Sequence, residues 1–86
     1  MRKFTKVNLK QERPTEKEVI NAIKVILSDK KSYAKSLNYA IDYCRAGLFL
    51  SGESLKIQTL YILNNIIHWR GKHNKEVRGL LKEFSK

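Results

Sequence analysis

Leu55-Lys56-Ile57-Gln58-Thr59-Leu60-Tyr61-Ile62-Leu63-Asn64-Asn65-Ile66-Ile67-His68-Trp69-Arg70-Gly71 is the most apolar stretch of the chain, and its apolar residues recur at helical period. At about 100° per residue, Leu55, Ile62, Ile66 and Trp69 fill one sector of a helix, and Leu60, Leu63 and Ile67 fill the next. The two sectors span about half the circumference, more than an ordinary surface helix needs. Such a helix is expected to lie at the centre of the fold and to touch every other helix. Ser51-Gly52-Glu53-Ser54 marks its start and Gly71 its stop, so it is expected to run to about Arg70.

Outward from this segment the same period returns on both sides. Pro14 precedes Thr15-Glu16-Lys17-Glu18, a capping box in which the Thr15 oxygen accepts from the Glu18 backbone and the Glu18 carboxylate from the Thr15 backbone. Val19, Ile20, Ile23, Ile26 and Leu27 then form one face, closed by Ser28-Asp29-Lys30-Lys31. Ser32 can cap a second helix with Tyr33, Leu37, Ala40, Ile41 and Cys44 on its apolar side. Gly47 stands where a left-handed C-terminal residue is common, and Leu48-Phe49-Leu50 is expected to pack down as a plug. After Gly71, Asn74 can cap a last helix with the stripe Val77, Leu80, Leu81 and Phe84. The expected fold is all-α, a compact four-helix bundle or orthogonal helical array over residues 14–86. Its core should hold Ile23, Leu37, Ile41, Ile62, Leu63, Ile66, Ile67 and Leu81. Residues 1–13 lack this period and form a basic N-terminal arm, in which Thr5, Val7 and Leu9 alternate as in an extended segment.

The chain has 86 residues, 42% apolar and 30% charged, a balance that suits one globular domain. Its single cysteine, Cys44, can form no internal bridge, which favours a reducing compartment. No stretch approaches the ~20 apolar residues of a membrane span, and no apolar run follows the charged start. A cytoplasmic protein without a membrane partner is expected.

Nothing in the sequence assembles a catalytic site. His68 and His73 are five apart, not the i, i+4 of a helical zinc pair. Cys44 falls on an apolar face. No glycine-rich phosphate loop or nucleophile elbow is present, and the acids fall at helix starts or among lysines. No enzyme, metal or cofactor is therefore expected.

Binding is left. The net charge is +10, from 18 Lys and Arg against 8 Asp and Glu, and it gathers at the two ends. That excess suits nucleic acid or an acidic protein surface. Sequence-tolerant nucleic-acid binding in an accessory or regulatory role would use Arg2, Lys3, Lys6 and Lys10 of the arm. It would also use Arg70, Lys72, Lys75 and Arg78 around the turn into the last helix, whose free N–H groups could hold a phosphate. The alternative is a protein-interaction module or small inhibitor. Gln58, Tyr61, Asn65 and His68 form an uncharged stripe on the third helix, and Tyr39 and Tyr43 lie off the main face of the second. Those tyrosines suit a wider buried face beneath the arm first, and a homodimer contact second.

Overall fold

The computed structural model describes residues 14–86. The N-terminal arm, with Arg2, Lys3, Lys6 and Lys10, lies outside the described residues. Four α-helices follow one another: α1 Glu16–Ser28, α2 Ala40–Gly47, α3 Gly52–Asn64 and α4 Asn74–Phe84. The described residues contain no strand.

The capping box at the start of α1 is formed on both sides. The Thr15 N–H donates to Glu18 Oε1 at 2.9 Å, and the Glu18 N–H donates to Thr15 Oγ1 at 3.1 Å. The helix buries Val19, Ala22, Ile23 and Ile26 and leaves Lys17, Asn21 and Lys24 in solvent, as its period requires. In α4 the inward stripe is Val77 and Leu81, with Leu80 and Phe84 packed partly against the core.

The second and third helices are shorter than their periodicity predicts. Ser32 does not cap a helix; its hydroxyl donates to Asp29 Oδ2 at 2.9 Å. Residues 30–39 form a single 3-10 turn, Lys30–Ser32, and then successive turns. The backbone N–H groups of Lys35 and Leu37 both donate to the Ser32 carbonyl, and the Tyr33 hydroxyl donates back to the Leu27 carbonyl in α1. Leu37 is still fully buried, so this segment fills the core without being helical. The third helix stops at Asn64, six residues before Arg70. Asn65 leaves helical geometry at φ −107°, ψ 7°, and its side-chain amide donates to the Tyr61 carbonyl at 2.8 Å. Turning there sends both Ile66 and Trp69 into the core and leaves Ile67 exposed.

The helices close a ring in which α1 packs on α2 and α4, and α3 also packs on α2 and α4. α3 packs chiefly on α2 and α4 and meets α1 near the helix starts, so it touches every other helix without being the hub expected from its apolar breadth. At Gly47 the α2 helix lies against side chains of both α1 and α3. A Cβ there would lie 3.1 Å from Ile23 Cδ1 and 3.6 Å from Ile62 Cδ1. Gly47 is thus a buried helical residue selected by packing, not a left-handed cap; the positive φ belongs to Gly52, at 58°. The Gly52 N–H donates to Glu16 Oε2 at 2.8 Å and ties the starts of α1 and α3 together. In the turn between α2 and α3, Leu48 and Leu50 pack against the core, but Phe49 points out, so only part of the expected plug forms. Leu63 is half-buried rather than central.

No helix among the described residues is long and apolar enough to cross a membrane.

Candidate interaction face on α2 and α3

α3 carries apolar residues on two opposite sides. Leu55, Thr59 and Ile62 are fully buried on one side. On the other, Ile57, Leu60 and Tyr61 are 44%, 45% and 47% exposed, in the i, i+3, i+4 relation that places them side by side. The breadth of apolar surface noted in the sequence therefore divides into a core face and a solvent face. Ile57 and Leu60 are the members of the solvent face that a polar-stripe reading misses; the apolar breadth was a signal for Leu60, whereas Ile57 lies outside the sectors that made it up.

Tyr61 reaches Tyr43 of α2, with ring centroids 5.6 Å apart and planes inclined at 36°. Gln58 Nε2 donates to the Tyr43 carbonyl at 2.9 Å, fixing the two helices at this seam. Tyr39, one turn before Tyr43, is 74% exposed, whereas Tyr43, in contact with Tyr61, is 38% exposed. The structure thus brings Tyr39, Tyr43, Gln58 and Tyr61 together from two sequence-separated groups. It does not bring in the rest of the uncharged stripe as such. Asn65 sits past the helix end with its amide turned to the Tyr61 carbonyl, and His68 is exposed in the following turn.

The basic cluster is less uniform than its sequence. Arg70, Lys72 and Lys75 are exposed and form no ion pair among the described residues. Arg78 is half-buried. Its Nη2 donates to the Trp69 carbonyl at 2.9 Å and to Asn74 Oδ1 at 3.3 Å, while its Nε is buried without a hydrogen-bond partner. Asn74 is the first residue of α4 rather than its cap, because its Nδ2 donates back to the Gly71 carbonyl. At the helix start expected to hold a phosphate, the Glu76 carboxylate is already present and meets His73 Nδ1 at 2.9 Å. An acid there satisfies the helix dipole that an anion would otherwise exploit. A groove of about 460 Å³ lies alongside, lined by Asp29, Lys31, Trp69, Lys72 and His73 among others. Lys31 joins Lys72 there only through the fold. Trp69 is 1% exposed and cannot stack a base; its Nε1–H donates to Asp29 Oδ2 at 2.7 Å.

Among the described residues no three His, Cys, Asp or Glu side chains gather as a metal site would require. Burial pushes the Cys44 thiol up to about 12, which keeps it protonated and unreactive. Compared with models of protein families, with curated proteins and with solved structures, the chain matches none.

Proposed function

We propose that the chain is a protein-interaction module that receives its partner on the face shared by α2 and α3. The reading is carried by the outward side of α3. Three large apolar residues, Ile57, Leu60 and Tyr61, stand in solvent opposite a completed core, so folding of the described chain does not account for them. Contiguous exposed apolar patches of this kind mark contact sites, and tyrosine is favoured in interface cores. The test is a photo-crosslinking residue placed in cells at Leu60 or, as a control, at Lys24 on α1. Protein adducts are expected from position 60 and not from position 24, and Tyr61→Glu should abolish them. Equal adducts from both positions, or none from position 60, would refute the reading.

A second reading, sequence-tolerant nucleic-acid binding, is supported by a separate observation. Arg70, Lys72 and Lys75 are exposed without acidic partners among the described residues, and Lys31 faces the same groove as Lys72. Arg2, Lys3, Lys6 and Lys10 would add to this set. Its readout is the salt dependence of binding, and it would leave the α3 face unused.

A further inference from the structure

We infer that the occupant of the α2–α3 face is a second copy of this chain, related by a two-fold axis passing near the middle of α3. The inference rests on the reading of that face as a protein contact. What selects a copy over a foreign partner is where charge is missing. After Glu53, the exposed residues of α3 are Ser54, Ile57, Leu60, Tyr61 and Asn64, none of them charged. The other helices each expose basic residues: Lys17 and Lys24 on α1, Arg45 on α2, Lys75 and Lys82 on α4. In a chain of net charge +10, that omission has a use in a symmetric contact. Across a two-fold axis a surface meets itself, so a lysine in it would face its own image or an apolar side chain, and burying a cation without a counter-charge is costly. A site built for an acidic partner would instead present cations to it. α3 has one basic residue, Lys56, and it is half-buried on the flank.

Size and rigidity agree with this occupant. At ~200 Å² for a large side chain, Tyr39, Tyr43, Ile57, Leu60 and Tyr61 together leave about 500 Å² exposed. Ala46, Ser54 and Asn64 are exposed as well and add to this area, against the ~800 Å² that each partner contributes to a standard interface. The Gln58 amide on the Tyr43 carbonyl and the Tyr43–Tyr61 ring contact hold the two helices in place before any partner arrives, which lowers the ordering cost of association.

Light scattering on the full chain, after nuclease treatment, should give twice the 10.1 kDa monomer mass at about 100 µM, above the µM-to-pM range that interfaces of this size span. Leu60→Glu and Tyr43→Glu should each give a monomer with unchanged helical circular dichroism. Under mild oxidation, Ile57→Cys or Leu60→Cys should form a disulfide-linked dimer, while Lys24→Cys should not; buried Cys44 stays silent in all three. A wild type that is monomeric at that concentration overturns the inference, and so does a dimer that survives Leu60→Glu. The two readings fail separately. A monomer whose position-60 adduct is a different protein removes the second copy but keeps the protein contact, whereas a monomer without adducts removes both.

Discussion

Trp69 shows how a single side chain joins elements far apart in sequence. Its indole N–H donates to Asp29 at the end of α1, and its carbonyl accepts from Arg78 in α4. Gly71 makes room for the ring: a Cβ there would lie 2.4 Å from Trp69 Cε2 and Cζ2. With the indole held by Asp29, the ring has little freedom to retreat, so Gly71→Ala should cost about 1–3 kcal/mol, the usual penalty of overpacking. Asp29→Ala should cost a similar ~1–3 kcal/mol because it strands a buried N–H donor. Urea midpoints check both, and an unshifted midpoint in either variant would show that the indole is not locked as described. In the sequence, Gly71 reads as a helix stop. Its actual role depends on a contact that helical periodicity does not encode. Cys44 offers a pH-dependent test of burial. Its thiol rises from an ordinary 9.0 to about 12 through desolvation. Above pH 9 the unfolded chain releases a proton that the folded chain keeps, so the Cys44 contribution is complete below pH 9 and is lost as pH climbs toward 12. Its slope is roughly 1.4 kcal/mol per pH unit. The difference in stability between wild type and Cys44→Ala should therefore shrink from pH 9 to pH 11. A pH-independent difference would mean that the thiol ionises in the folded protein.

At the scale of elements, α1 and α4 were legible because each has one apolar face and one charged face, so period alone fixes orientation. The capping box added the starting residue of α1. The two middle segments were not legible in the same way. Between Ser32 and Tyr39 the apolar spacing suits a helix, but Ser32 and Tyr33 bond back to Asp29 and Leu27, and these local side-chain bonds compete with helix formation. The helical spacing of Ile62, Ile66 and Trp69 continues past Asn64, where the helix ends, because Ile66 and Trp69 reach the core through a turn. The two-sided character of α3 was visible only as excess breadth, and breadth alone gives no means of deciding which residues face inward. The structure makes that decision testable. Ile62→Ala and Ile66→Ala should each cost about 2–5 kcal/mol, as buried truncations do. Leu60→Ala, on the same helix as Ile62, should change monomer stability by no more than ~0.5 kcal/mol, measured by denaturation in the Tyr43→Glu background so that self-association does not contribute. Equal costs for Ile62 and Leu60 would contradict the assignment of inner and outer faces.

Among the described residues, the exposed apolar side chains of α3 and the densest basic cluster occupy different elements. The exposed side of the α2–α3 patch after Glu53 is uncharged on α3, while the turn into α4, the start of that helix and the groove beside it hold Lys31, Arg70, Lys72 and Lys75. This separation lets the nucleic-acid reading be tested without disturbing the proposed protein contact. If the loop meets phosphates, log affinity for a generic duplex should fall with log salt at about −0.9 per contact, so Arg70→Gln, Lys72→Gln and Lys75→Gln together should flatten the slope by up to ~2.7. Arg78 belongs outside this set. Its guanidinium supports the Trp69 carbonyl, so Arg78→Gln would mix lost charge with lost packing. Exchanging Arg2, Lys3, Lys6 and Lys10 for Gln should flatten the slope by up to ~3.6 more if the arm takes part, independently of base sequence, since phosphate contacts position without specifying. Titrations with labelled duplex at several salt concentrations, run alongside circular dichroism of each variant, supply the measurement. No binding at roughly 20–50 mM salt, where screening is weak, would assign these cations to solvation. So would a triple variant that binds with the parent's slope. The net charge of +10 would then act mainly on solubility and encounter rate, and the proposed contact on the α3 face would have to be tested by its own measurements.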